Sequence, residues 1–235
     1  MEKELLHIFI VPDGNRRWAK ERGLAPWEGH KQGYETLRFI LKKIWSLGVT
    51  HFTFWVLSMD NFRNRSPEEI KFIFKLFEKA IDELLTSPEL KEEKVRIRIV
   101  GKLEKHYNNS LKEKIATLEK NTAIYPDKNF TLLFGYNGDD ELIDAIQRFC
   151  YFNPYSASKI ITWKLIKNWL WTRFLPDVDI FIRTGFEPHL SAAALTMQMA
   201  NAHLYFPQMH WPDFSFENLA KIIDDFKNRE RRFGA

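Results

Sequence analysis

Apolar runs of strand length alternate along this chain with patterns of helix length, and that alternation limits the fold more than any other feature. The runs fall at 6–11, 51–57, 95–100, 130–134 and 179–182. Between the first two, Tyr34, Leu37, Ile40, Leu41 and Ile44 recur at helical spacing, predicting a helix over 31–47. Ser66-Pro67-Glu68-Glu69 opens the next helix: Ser as N-cap, Pro at the first position, acids in the first turn. That helix carries Ile70, Phe72, Ile73, Phe74, Leu76, Phe77, Ile81 and Leu84, apolar around much of its circumference, which predicts burial on two sides. Further helices are expected at 109–121, 139–149, 158–174, 191–200 and 216–230, with a loop at 150–158. Strands alternating with helices predict an α/β fold, a mostly parallel sheet flanked by helices. With 235 residues, 45% of them hydrophobic, the chain has core enough for a single domain spanning 1–235.

In such sheets ligands sit at the carboxyl ends of the strands. The first strand empties into Pro12-Asp13-Gly14-Asn15-Arg16-Arg17-Trp18, a carboxylate among cations and turn residues. Backbone N–H groups opening a helix beside Arg16 and Arg17 make an anion cradle. Asp13 would repel a phosphate there unless a divalent cation bridged the two, and magnesium favours one or two carboxylates plus phosphate oxygens. The alternative is an Asp-Gly turn with solvated arginines. The second strand runs into Ser58-Met59-Asp60-Asn61-Phe62-Arg63-Asn64-Arg65, the fourth into Gly135-Tyr136-Asn137-Gly138-Asp139-Asp140, and the fifth into Arg183-Thr184-Gly185-Phe186-Glu187. Several polar clusters converging on one sheet edge predict a site. No Walker-type or dinucleotide-type glycine motif is present.

Lys and Arg exceed Asp and Glu by 35 to 31, which supports an anionic ligand without requiring nucleic acid. The single cysteine, Cys150, excludes an internal disulfide and fits a reducing, cytoplasmic setting. The seven histidines contain no His-x-x-x-His pair, so a preformed zinc site is not expected. The start of the chain does not read as a signal peptide, and no window approaches the ~18 apolar residues of a membrane span. The aromatic content of 15% fits either a bulky core or an apolar ligand cavity.

"DGNRRWAKERG…GHKQGYETL" resembles the signature of the cis-prenyltransferases, the undecaprenyl diphosphate synthase family. The resemblance continues through "LSMDNFRNRSPEE", "VRIRIVGKLEKH", "LLFGYNGDDELIDAI" and "PDVDIFIRTGFEPHLS" and ends in "LYFPQMHWPDFSFENLAKIIDDFKNRERRFG". It implies a parallel sheet flanked by helices with a hydrophobic tunnel, a dimer, and Mg2+-dependent joining of an allylic prenyl diphosphate to isopentenyl diphosphate with release of pyrophosphate. By the same resemblance Asp13 organises magnesium and the diphosphates. Gly14, Asn15, Arg16, Arg17 and His30 hold the allylic diphosphate, with Trp18 beside that loop. Ser58, Asp60, Asn61 and Phe62 match a segment whose asparagine is implicated in proton removal. Arg183 and Ser191 match residues gripping the second diphosphate. An extra residue after Asn61 leaves either Arg63 or Arg65 as the family's arginine.

The chain departs from the family pattern at several points. His189 stands where the family has an arginine, and His203 where it has a metal-associated glutamate; Pro26 replaces a basic residue. A neutral histidine offers one N–H where arginine offers a charged fork. Either His189 and His203 still serve diphosphate and metal, or the acceptor is altered. An altered acceptor would be a second allylic diphosphate in a non-head-to-tail join, or a non-diphosphate alcohol or aromatic nucleophile. A product of short or medium length is expected from Trp55, Val56, Phe72, Phe74, Leu133 and Phe134 in the tunnel segments. A more distant reading makes the basic "KNRERRF" segment a nucleic-acid contact. A solvated helix end fits it better, and the resemblance sends Arg232-Phe233-Gly234 towards a dimer partner. A homodimer without nucleic acid, with peripheral membrane association left open, is the expectation.

Overall fold

The computed structural model describes residues 6–153 and 161–229. Its strands are β1 (His7–Val11), β2 (His51–Leu57), β3 (Val95–Val100), β4 (Lys128–Phe134), β5 (Ile180–Arg183) and β6 (His203–Tyr205). They form one sheet in the order β3-β4-β2-β1-β5-β6, with every pairing parallel. The expected runs at 51–57 and 95–100 keep their bounds, and the other three shift by a residue or two. β1 is apolar at every position from Ile8 because both its faces are covered. Ile8 and Ile10 join one core with Phe52, Phe54, Phe130 and Leu132; Phe9 and Val11 join the other with Leu133, Tyr136 and Phe181.

The helices are α1 (Asn15–Glu21), α2 (Pro26–Lys43), α3 (Met59–Asn64), α4 (Pro67–Thr86), α5 (Pro88–Glu92), α6 (Asn109–Thr122), α7 (Gly138–Phe152), α8 (Trp163–Lys167) and α9 (Phe216–Asn228). Ser66 caps α4 as expected, accepting the Glu69 N–H at 3.3 Å. α2 begins earlier than its apolar spacing suggests, because Gly29 weakens the helical signal. That glycine is needed: a Cβ there would lie 2.0 Å from the Asn15 carbonyl oxygen, where α1 crosses α2.

The helix expected over 191–200 does not form. Its backbone is committed elsewhere: the Ala192 carbonyl accepts the Gly138 N–H at 2.7 Å, and the Gln198 carbonyl accepts that of Val178 at 2.7 Å. These contacts override the helical propensity of the alanines. Of the helix expected over 158–174, residues 158–160 lie outside the described residues; Trp163–Lys167 is helical and turns follow. Part of the expected loop at 150–158 also lies outside them, while residues 150–152 extend α7. Glu230 and the Arg232-Phe233-Gly234 segment lie outside them too. α4 is not buried on two sides. Ile73, Phe77 and Ile81 are buried, while Ile70, Phe72, Phe74 and Leu76 are half-buried.

Chain order runs from β1 to β2 on one side and returns to β5 on the other. The carboxyl ends of β1 and β5 therefore flank the switch point of the sheet, where such folds open a crevice.

Candidate active site

Asp13 sits just beyond β1, and Arg183 ends β5 opposite Val11. The Asp13 carboxylate is held on both oxygens. Oδ1 accepts from the Gly14 N–H at 2.6 Å and Arg17 Nη2 at 3.2 Å; Oδ2 accepts from Arg183 Nη2 at 2.8 Å. Its carbonyl accepts Thr184 Oγ1 at 2.8 Å and the Trp211 N–H at 3.0 Å. The loop is thus tied to both neighbouring segments. Gly14 turns it into α1 at φ 99°, a left-handed conformation, and a Cβ there would fall 2.3 Å from His210 Nδ1. Arg183 is 6% exposed; its Nη1 donates to the His189 carbonyl at 2.9 Å and its Nε has no partner.

A second wall comes from α2 and α4. His30 and Glu69 pair at 2.9 Å, Arg65 reaches Glu69 at 3.1 Å, and Arg16 lies 3.9 Å from it. Burial pushes the pKa of His30 down, and likewise that of Arg65. For Glu69, burial acts upward, but the His30 hydrogen bond and the Arg65 and Arg16 charges leave its carboxyl below the usual range. The geometry selects Arg65 as the site arginine, since Arg63 is mostly exposed beside Asp60. Sequence reasoning saw Glu69 only as a first-turn acid. Its spacing of four residues from Arg65 was the available signal.

His30, Arg65 and Arg16, with Glu69 behind them, help line a charged pocket of about 830 Å³. Asp13, Gly14, Asn15, Arg16, Arg17, His30, Ser58, Asp60, Asn61, Arg65, Arg183 and Ser191 all meet there, as the sequence suggested. Ser58 caps α3 by accepting the Asn61 N–H at 2.9 Å, and Asp60 accepts from Asn137 Nδ2 at 3.0 Å. Glu187, from the polar cluster after the fifth strand, also lines it and accepts from Arg17 Nη1 at 2.9 Å; Lys20, not anticipated from the sequence, lines it too.

An apolar cavity of about 420 Å³ adjoins it between α2, α4 and the sheet. The two share Pro12, Asn15, His30 and Val56. Asn15 Oδ1 is buried without a partner. Side chains of period two decide the lining: Phe54 and Val56 of β2 and Phe130 and Leu132 of β4 face the cavity. Of the bulky residues expected to line a tunnel, only Val56 does. Trp55 faces the charged pocket instead, while Phe72, Phe74, Leu133 and Phe134 line neither.

Four expected site residues lie elsewhere. Trp18 turns outward, its indole N–H donating to Asp213 Oδ1 at 2.7 Å with Arg22 over its ring. Phe62 packs on His106 and Phe74 rather than lining the pocket. His189 does not line the pocket: its exposed ring lies 3.8 Å from Glu187, and its carbonyl accepts from Arg183. His203 belongs to β6, a three-residue edge strand with no sequence signal of its own. Its ring stacks edge-on against Phe226, and it pairs with Ile180, three positions before Arg183. It therefore cannot share a metal with Asp13 within the chain.

Among the described residues no group of three or more His, Cys, Asp or Glu is placed to hold a metal. The pocket offers Asp13, with Glu187 nearby, amid cations. That donor set fits magnesium arriving with a diphosphate, and does not fit an all-protein cage. Chemically the arrangement joins a cation-lined pocket for an anionic head to an apolar cavity for a tail.

Comparison with known proteins agrees with this geometry. The family model "Putative undecaprenyl diphosphate synthase" matches residues 11–234. A tritrans,polycis-undecaprenyl-diphosphate synthase (GGDP specific) of Sulfolobus acidocaldarius is 35% identical over 97% of this chain and 87% of its own length. An isoprenyl transferase of Thermotoga maritima is 35% identical over 97% of this chain and 96% of its own. The crystal structure of lavandulyl diphosphate synthase from Lavandula x intermedia, in complex with dimethylallyl diphosphate, superposes with TM-score 0.88 at 26% identity, covering 100% of both chains. A chain matched over nearly its full length, with this sheet and this pairing of pocket and cavity, belongs to the undecaprenyl diphosphate synthase family, the cis-prenyltransferases, enzymes that transfer prenyl groups.

Proposed function

We propose that the chain transfers the prenyl group of an allylic diphosphate to isopentenyl diphosphate, forming a (Z)-prenyl diphosphate and pyrophosphate with Mg2+. The observation that carries this is the union of the two cavities through Pro12, Asn15, His30 and Val56, a cationic seat continuous with an apolar one. The donor's diphosphate lies against Arg16, Arg17 and Arg65, with its tail in the apolar cavity. The acceptor's diphosphate meets Arg183 and Ser191.

As the allylic C–O bond breaks, charge grows on the departing pyrophosphate, and fixed guanidinium groups stabilise it without reorganising. The acceptor's double bond forms the new C–C bond, and the proton then lost passes to the departing pyrophosphate, with Asn61 on the pocket wall to orient it. Asp13 holds Arg17 and Arg183 in register between the two seats. Asp13 is also the residue that would hold magnesium, which adds charge neutralisation at the diphosphate oxygens.

A cavity of about 420 Å³ backed by packed aromatics favours a short or medium chain, whereas the Sulfolobus relative is named for an undecaprenyl product. An altered acceptor is the second reading, favoured by the absence of His189 from the pocket lining. It leaves Arg183 as the cation of the wall formed with Ser191, Ala192 and Ala193. Dimerisation, and binding at a membrane surface, belong to the proposal as well; no helix among the described residues is long and apolar enough to cross a membrane.

Mass spectrometry of products tests both readings. Dimethylallyl, geranyl, farnesyl and geranylgeranyl diphosphates are each supplied with and without isopentenyl diphosphate, with magnesium or EDTA. Elongation only with isopentenyl diphosphate and magnesium supports the first reading. Products formed without isopentenyl diphosphate support the second, and no product from any mixture refutes the first reading and the allylic-diphosphate form of the second.

A further inference from the structure

The apolar cavity has two unlike boundaries. Towards the sheet it meets Phe54 and Phe130, and at the middle of α4 Phe77; these are 5% exposed or less and locked in ring contacts with Trp211, Phe52 and Phe134 in turn. On the other side it meets the seam where α2 passes α4 and α5, and that seam is closed largely by ions. Arg38 of α2 bonds Glu83 of α4 at 2.6 Å and Glu35 of its own helix at 2.6 Å. Lys42 of α2 pairs with Glu89 of α5, which Ser87 steadies from the α4–α5 elbow by donating to it at 3.0 Å. Arg38, Lys42, Glu83 and Glu89 all line the cavity, so the stems of the cations form its wall while their charged ends lie across its rim.

The seam lies at the end far from the diphosphate seat. His30 and Lys42 both line the cavity on α2, twelve residues and therefore roughly 18 Å of helix apart. A tail that outgrows the cavity must displace packed aromatics or pass the seam. Close-packed rings yield only at the cost of strain. Ion pairs whose side chains are 35–48% exposed are weakly held and exchange readily with water.

We propose that the Arg38–Glu83 and Lys42–Glu89 pairs form a polar gate at the far end of the cavity, and that its opening sets how long a prenyl chain can grow. The gate rests on the elongation reading above. Closed, it stops the chain at what the cavity holds; open, it lets the tail out between α2 and α5 while the head stays among Arg16, Arg17 and Arg65. Product length then depends on charges far from the reacting atoms.

The experiment uses the whole enzyme with labelled isopentenyl diphosphate and an allylic donor, and reads both total label incorporated and the chain-length distribution. Glu83→Gln/Glu89→Gln removes both bridges with little change of volume. It should raise the ratio of longer to shorter products about fivefold, the weight of two exposed pairs. Lys42→Glu/Glu89→Lys re-forms the second pair in reverse and should return the distribution towards wild type. Wild-type enzyme in rising salt should drift the same way as the double glutamine variant, since salt screens exposed pairs. This series does not depend on the folding of any variant. An unchanged distribution in both the glutamine variant and the salt series, with label still incorporated, overturns the gate and leaves the elongation reading standing. No incorporation by wild type overturns both.

Discussion

Two histidines at the amino ends of β1 and β2 should make the protein acid-sensitive well above the pH at which ordinary carboxylates titrate. His7 is wholly buried; its Nε2 meets Thr53 Oγ1 at 2.8 Å and its Nδ1 the Pro176 carbonyl at 3.0 Å. His51 is its register partner, with ring centroids 5.9 Å apart. Burial lowers the pKa of His7 from 6.5 to about 4, and burial followed by the His7 charge lowers that of His51 to about 4. The unfolded chain therefore binds these protons first. The stabilisation is complete above the unfolded pKa of 6.5 and is lost as pH falls towards about 4. For His7 alone, the drop from 6.5 to about 4 amounts to about 3 kcal/mol, at ~1.4 kcal/mol per pH unit. His51 adds less than its own shift, because part of that shift comes from a charge on His7. Against a typical total of roughly 5–15 kcal/mol, this loss is large. Urea unfolding between pH 7.5 and 4.5 measures it, comparing wild type with His7→Gln. Glu119 and Glu141, both raised by burial, contribute alike to the two proteins and cancel in the difference. The variant should show the flatter pH slope whatever its absolute stability. Equal slopes, or a His7 ring resonance titrating near ~6.5, would refute the argument.

Other outcomes follow from the site and its surroundings. Asp13→Ala should cut prenyl transfer by well over tenfold, more than ~1.4 kcal/mol in the barrier, and should also lower the melting temperature because buried Arg183 loses its carboxylate; EDTA should mimic the loss of activity without the loss of stability. A residual activity above a tenth would remove Asp13 from its proposed role. Glu69→Gln leaves His30, Arg65 and Arg16 without their shared anion. Loss of one buried partner costs about 3–5 kcal/mol, so a fall in denaturant midpoint and a raised KM for the allylic diphosphate are both expected. Lys94 follows α5 at φ 52°, exposed, so Lys94→Gly should stabilise the fold by roughly 0.5–1 kcal/mol, read as a higher melting temperature.

The readable parts of the site were those that follow directly from strands. Asp13 and Arg183 close apolar runs, so sheet logic alone carries them to one edge. Trp18 and Phe62 stand beside pocket-lining residues, but adjacency in sequence does not fix the direction of a ring on a short helix. His203 takes a ligand's place in the family pattern, yet it lies in three residues of edge strand that carry no periodicity and away from the pocket lining. Ser191 to Ala200 reads as helix by propensity, yet the carbonyls of Ala192 and Gln198 bond other segments, which no local pattern announces. Glu69 is visible as a cap-region acid; that His30, Arg65 and Arg16 converge on it from separate elements is a tertiary fact.

The tie between Asp13 and Arg183 spans 170 residues of chain, and Asp13 also receives the N–H of Trp211. β1 pairs early in the sequence with β2, but its other edge waits for β5, so these contacts close long loops at a high entropic cost. Contacts of such separation form late and slowly. A collapsed species holding only the β1–β4 half would present Arg17 and Asp13 with nothing opposite them. Recovered activity in a refolding experiment thus reports the docking of the last strands, and should lag behind the return of helical signal.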